Sequence, residues 1–233
     1  QSATNTWLIY RKSFGVTDVP NQLIARIAAD SKYWLWINDQ LVVFEGGLKR
    51  GPSPSGTYYD PVDIAPYLTK GSNTIAILLW HFGKDGFSHI NSGKAALLFE
   101  AIAPGLEIVS NASWQCALYE AYQNTEAPFP NYRMPESNIR FDARQAITNW
   151  NRTSFEGSRP IPQWKNSGLL SYVSVRESLR GDTLFCRLPY NAQITPYLKV
   201  EAEAGKTIHI RMDNYEGGSE RNVRAEYITH EGE

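Results

Sequence analysis

The chain has 233 residues, with 23 basic and 24 acidic side chains and a formal net charge of −1. That balance lacks the basic footprint of a nucleic-acid or anionic-membrane binder, and no apolar run approaches the roughly 20 residues of a membrane-spanning helix. The length suits one large β domain or two smaller ones.

Thr6-Trp7-Leu8-Ile9-Tyr10 reads as a first strand, and Gly15 and Pro20 break the polar connection after it. Residues 23–29 form a second strand, alternating at Leu23, Ala25 and Ile27. In Tyr33-Trp34-Leu35-Trp36-Ile37, Tyr33, Leu35 and Ile37 share one face while Trp34 and Trp36 share the other. Both faces are apolar. That predicts either a strand covered on both sides, with Trp34 and Trp36 between sheets, or tryptophans lining a binding surface. Asn38-Asp39 has the chemistry of a two-residue hairpin turn. Leu41-Val42-Val43-Phe44 returns as the partner strand, and Gly46-Gly47 ends it.

Residues 48–59 are a loop punctuated by Gly51, Pro52, Pro54 and Gly56. Residues 60–68 read as a short helical turn with Asp63 as a cap and Pro66 in the first turn. Gly71-Ser72-Asn73 turns into the apolar strand at residues 74–80. A loop over residues 81–94 precedes strands at 95–101, 106–114 and 116–122. Residues 123–135 are irregular, 138–143 extended, and 144–151 one helical turn. Ser158-Arg159-Pro160-Ile161-Pro162 is proline-fixed and suits a boundary. Strands follow at 172–177, 183–187, 197–202 and 207–212, with Gly205-Lys206 turning between the last two. Another at 225–229 lies close to the end, as expected for a piece of something larger. The class is all-β.

Seven tryptophans and thirteen tyrosines fit a carbohydrate-active module, because sugar C–H faces stack on aromatic rings; sandwich cores use the same residues. Cys116 and Cys186 read as buried free thiols. Gln1 opens without methionine or a signal segment, which suits either a mature secreted or periplasmic chain after signal removal or a chain cut at a boundary. Asp60, Asp63, Asp85, Asp142 and Glu177 include no evident acid/base couple, so no catalytic residue is assigned. Asp60 and Asp63 read as turn-capping groups, and Asp142 as a partner of Arg144 or a backbone amide. The four histidines lack ligand spacing, so no metal site or cofactor is assigned. Two loops combine aromatic faces, charge and glycines. One carries Lys49, Arg50, Tyr58 and Tyr59, and the other Trp80, His81, Lys84 and Asp85. They are expected to contact another domain, ahead of a sugar cleft.

Several blocks point to one family. They are Tyr33-Trp34-Leu35-Trp36-Ile37-Asn38, Gly46-Gly47-Leu48-Lys49-Arg50-Gly51-Pro52, Tyr58-Tyr59-Asp60 and Asp63-Ile64-Ala65-Pro66-Tyr67-Leu68, then Gly71-Ser72-Asn73-Thr74-Ile75-Ala76 and Trp80-His81-Phe82-Gly83-Lys84. Phe141-Asp142-Ala143-Arg144, Arg159-Pro160-Ile161-Pro162 and Ala225-Glu226-Tyr227-Ile228-Thr229 continue the match in order. Together they resemble the amino-terminal region of bacterial α-L-rhamnosidases, glycoside hydrolases of family 78. The resemblance implies a galactose-binding-like jelly-roll β-sandwich over residues 1–160 and the start of a second β-sandwich over residues 161–233. It further implies a catalytic toroid elsewhere in the parent chain, which would be this chain's partner, and a rhamnose-containing glycan as substrate. Some relatives carry a calcium-dependent sugar-binding module, but its metal ligands find no residue-by-residue match here. The alternatives are an autonomous carbohydrate-binding module and a protein-interaction or adhesion domain.

Overall fold

The computed structural model describes residues 3–47, 57–86, 89–125, 135–147, 149–152, 160–161, 169–190, 196–211 and 224–230. Strands in the first half are β1 (Thr6–Val16), β2 (Ile24–Ala29), β3 (Lys32–Ile37), β4 (Gln40–Gly47), β5 (Thr57–Tyr58), β6 (Asp60–Asp63), β7 (Gly71–His81), β8 (Leu97–Ala103) and β9 (Leu106–Val109). The rest are β10 (Gln115–Leu118), β11 (Tyr122–Asn124), β12 (Ile139–Asp142), β13 (Asn151–Arg152), β14 (Pro160–Ile161), β15 (Ser174–Glu177), β16 (Leu184–Arg187), β17 (Thr207–Arg211) and β18 (Arg224–Ile228). One 3-10 turn, Ala65–Tyr67, interrupts the β pattern. The chain divides into two compact units, Gln1–Trp164 with Lys199–Glu233, and Lys165–Leu198.

In the larger unit a six-stranded sheet, β13-β10-β1-β7-β3-β4, faces a four-stranded sheet, β6-β2-β8-β9, in a jelly-roll sandwich. Alternation decides which side chains fill the space between them. Tyr10, Tyr33, Leu35, Ile37, Ile75, Ile77 and Leu79 from the first sheet meet Ala25, Ile27, Phe99, Ala101 and Ile108 from the second. The opposite face of the six-stranded sheet is also apolar. Its Trp7, Leu78 and Trp80 form a second cluster with Phe82, against which Tyr119, Tyr122 and Ile139 pack. Those residues belong to or border a third sheet, β11-β12-β18-β17, in which β12 and β18 run parallel. Trp34 and Trp36 point to this outer face and are only half-buried, not enclosed between the sandwich sheets.

Asn38 and Asp39 both adopt left-handed φ, 48° and 64°, as the two-residue turn requires. The Asn38 side chain then ties the turn to its neighbours. Its Nδ2 donates to Tyr67 O and Asn73 Oδ1, and its Oδ1 accepts from Thr74 N. Asp63 Oδ1 accepts from Leu23 N and Ala65 N, which holds the 3-10 turn to the second sheet. Asp142 takes two hydrogen bonds from the Arg144 guanidinium and one from its backbone N, so both expected partners are present.

Four sequence expectations change. Residues 144–147 and 149–151 contain no helix, and residues 197–202 no strand, because β17 finds its partner in β18. The strand expected over 106–114 stops at Val109, where residues 110–114 turn so that Trp114 Nε1 can donate to Val109 O. Both cysteines are free, but only Cys116 is half-buried, beside Tyr10; Cys186 is exposed. Its strand belongs to the β15–β16 hairpin, whose residues are exposed on both faces.

A Cβ on Gly46 would stand 2.4 Å from the Tyr33 ring, and Gly47 holds φ at +83° against the Ser31 carbonyl. Gly46→Ala is therefore expected to destabilise the chain by roughly 1–3 kcal/mol, the range for overpacking a filled core. A fall in the urea midpoint at unchanged slope would register it.

Candidate functional site

The two loop regions singled out in the sequence leave the same end of the six-stranded sheet, at the C-terminal ends of β4 and β7. β3 lies between β4 and β7, so the Gly46-Gly47 corner and the end of β7 meet at Lys32. The corner is anchored from below. Tyr33 Oη and Gly47 N both donate to Asp60 Oδ2, at 3.0 and 2.9 Å. Asp60 is thus engaged in structure. Lys49 and Arg50 lie outside the described residues. Tyr58 pairs in β5 with Ile161 of β14, and Tyr58 and Tyr59 are both half-buried.

Trp80 and His81 are the last two residues of β7, not the start of a loop, and both are buried. Trp80 Nε1 donates to Asn5 Oδ1 at 2.8 Å, and its ring stacks on Trp7 at 4.5 Å. His81 is fully enclosed, with Nδ1 3.3 Å from the Asp30 carbonyl and 3.5 Å from its Oδ1. Among the described residues its Nε2 meets no hydrogen-bond partner. Lys84 is half-buried, and burial lowers its pKa while the Glu136 carboxylate raises it. Asp85 is exposed, and its Oδ1 accepts from the backbone and side chain of Asn91 at 2.8 and 2.6 Å.

What organises this end of the sandwich is a group the sequence did not flag. Asp30 Oδ2 accepts from Ser92 N, and Oδ1 accepts from Ser31 Oγ. His81 and His89 approach the same carboxylate at 3.5 and 3.6 Å. Ser31 Oγ also accepts from Phe82 N and lies 3.2 Å from His89 Nε2. Burial pushes the Asp30 carboxyl up, but hydrogen bonds from His81, His89 and Ser92 outweigh it and hold the group well below the ordinary range. Beside it Lys32, 7% exposed, pairs with Glu45 and lies 3.7 Å from Glu136. Its ammonium sits 5.8 Å from the ring centroids of Trp80 and Phe82. No spacing motif marks Asp30, Lys32, Glu45 or Glu136, because they converge only when β3, β4 and residue 136 are brought together. Among the described residues, no three His, Cys, Asp or Glu side chains gather as a metal site.

Asp30 and Asp142 have folded-state pKa values below the ordinary range, that of Asp142 about 2, set first by hydrogen bonds from Arg144. A carboxyl whose folded pKa is depressed stabilises the fold above its unfolded value, near 3.9, and loses that contribution as pH falls through the folded value. Urea midpoints should therefore fall between about pH 5 and pH 2. Asp30→Asn and Asp142→Asn should each make that fall shallower while lowering stability at pH 7. Parallel pH profiles for wild type and both variants would contradict the assignment.

No protein-family model matches the chain, and no curated protein matches it. Solved structures do. A GH78 family rhamnosidase of Bacillus sp. GL1 is 26% identical with a TM-score of 0.58, over 67% of this chain and 17% of its own. The α-L-rhamnosidases of Dictyoglomus thermophilum and Aspergillus terreus share the fold at TM-scores of 0.61 and 0.59, with 19% and 17% identity. Each match covers 98% of this chain, which spans only 28% and 30% of those two proteins. In fold, the chain is similar to the β-sandwich region of the α-L-rhamnosidases of glycoside hydrolase family 78, the family its sequence resembles.

Proposed function

We propose that the chain is the non-catalytic, substrate-presenting front end of a rhamnosidase-like glycoside hydrolase that acts on rhamnose-containing glycans outside the cytoplasm. Its partner on this reading is the catalytic domain of the same parent chain. The observation that carries the reading is the 26% identity to the Bacillus enzyme over 67% of this chain, at 17% of that enzyme's length. The carboxylates support it. Asp60, Asp63, Asp85 and Asp142 are each committed to hydrogen bonds that hold turns or strand ends, which leaves them poor acid/base candidates.

The unit Lys165–Leu198 adds a second support. Its β15–β16 hairpin exposes Val175, Leu184 and Phe185 to 57%, 61% and 50%. A two-stranded hairpin is marginal alone, and apolar strands of this kind are stabilised by further sheet. On this reading residues 1–160 form the first domain and residues 161–233 begin a second, with β17 and β18 returning to pair beside β12. Lys84 and the neighbouring loop face the parent's other domain.

Hydrolysis of 4-nitrophenyl α-L-rhamnopyranoside tests the assignment. The parent polypeptide should release nitrophenol and this chain alone should not. Turnover by this chain, or a parent inert towards rhamnosides, would overturn it. Lys84→Ala in the parent should lower the thermal midpoint by a few degrees, as a ~1 kcal/mol loss does in a domain of this size, with KM unchanged.

A further inference from the structure

A second surface has the makings of a site, and it lies away from both loops. Register across the six-stranded sheet sets Leu41, Trp36, Ala76, Arg11 and Gln115 in one row on the outer face, from β4 through β3, β7 and β1 to β10. Each is paired with the next across adjacent strands, so all five project to the same side. Ala76 is the small residue between two large ones. Trp36 and Arg11 flank it from strands two spacings apart, about 10 Å. Ala76 keeps partial exposure, so neither neighbour closes over it. The row therefore dips at Ala76, between the Trp36 indole on the β3 side and Arg11 on the β1 side.

The guanidinium is held in place. Arg11 Nε donates to Gln115 Oε1 at 2.8 Å, and its Cζ lies 3.9 Å from the Trp150 ring centroid. One N–H is used by that bond, and a guanidinium has five. On one side of the row stand Trp34 and Leu78, apolar. On the other, Ser13 and Thr74 face each other, exposed, with their hydroxyl oxygens 3.4 Å apart. One aromatic face, one pinned donor group and a flanking hydroxyl pair make an arrangement selective for a ring with an apolar face and a polar edge.

We propose that this dip binds a pyranose residue of a glycan, its C–H face on the Trp36 indole and its hydroxyls on Arg11, Gln115 and the Ser13–Thr74 pair. The site goes beyond the rhamnosidase reading and does not need it. Arg11 is pre-organised by Trp150 and Gln115, so binding immobilises little side-chain entropy. Trp7 and Trp80, whose indole N–H groups are bonded to Asn5, stay outside the site.

Indole N–H resonances of the intact chain provide the test, with Trp36 assigned from Trp36→Phe. The probes are methyl α-L-rhamnoside, rhamnogalacturonan oligosaccharides, and the rhamnose-free cellohexaose and galactotriose, each at up to 10 mM. At least one should shift the Trp36 signal while Trp7 and Trp80 stay put. Ala76→Leu fills the dip without removing a buried group, and Arg11→Ala removes the donor. Each should weaken the titration about tenfold or more, with thermal midpoints near wild type. A response confined to rhamnose-free sugars keeps the site and counts against the rhamnosidase reading. No shift with any glycan overturns the site, as does an affinity unchanged in Ala76→Leu. So does protection of Trp36 by the rest of the parent polypeptide, which would make the face an interdomain contact.

Discussion

Trp7 lies 3.8 Å from Tyr122 and 4.5 Å from Trp80, with ring planes within 7° and 15° of parallel. Asn5 Oδ1 accepts from the indole N–H of both tryptophans, while its Nδ2 donates to Asn124 Oδ1 in β11. This one aromatic stack joins the third sheet to the sandwich. Without it the outer face of β1 and β7 would meet water with Trp7, Leu78 and Trp80. The polar rim is as important as the rings, because a buried indole N–H left unpaired costs more than the net gain from a good hydrogen bond. Asn5 satisfies two such groups with one oxygen. The stack continues through Phe141 to Tyr227 of β18, 5.5 Å on, so strands far apart in sequence share one aromatic layer.

Local chemistry was legible in the sequence. The Asn38-Asp39 turn and the Asp142–Arg144 pair depend on residues close in sequence, and each formed as read; Asp63 ends a strand instead and accepts from Ala65 N, while Ile64 takes the N-cap position of the 3-10 turn. Alternation in β3 separated the core side of Tyr33, Leu35 and Ile37 from the tryptophan side. Long-range pairing was not legible. β12 and β18 run parallel across more than eighty residues of intervening chain, and no local pattern signals that partnership. The same limit governs the candidate site. Trp80 and His81 looked like the mouth of a loop because Phe82-Gly83-Lys84 follows, but β1 pairs with β7 out to His81 and encloses both side chains. Asp30, which organises that corner, has no motif around it.

That corner shows how a sandwich accommodates charge near its core. Lys32 sits on the outer face of β3 next to Trp80, where its stem packs on rings and its ammonium is balanced by Glu45 and Glu136. Desolvating a lysine is costly unless opposite charge accompanies it. Asp30 meets the same demand with hydrogen bonds from Ser31, Ser92 and the two histidines. Both groups lie at the end of the sheet where Lys32 pairs with Gly47 of β4 and Trp80 of β7.

The two ends of the outer face differ for one structural reason. β11 and β12 are three and four residues long, while β1 and β7 are eleven each. A short sheet laid over a long one covers only part of it. Tyr119, Tyr122 and Ile139 pack on the cluster of Trp7 and Trp80; two residues further along stand Trp34 and the buried Leu78, and two further again Trp36 and Ala76. Composition changes at the same step. The covered rows are mainly aromatic and aliphatic, with Lys32 paired to Glu45 at their edge, whereas the rows beyond bring in Arg11, Gln115, Ser13 and Thr74. A face awaiting only another protein layer would gain from staying apolar, since each polar group buried there needs a partner. Polar groups placed beside a half-exposed tryptophan and an alanine notch instead fit a ligand that supplies its own hydroxyls.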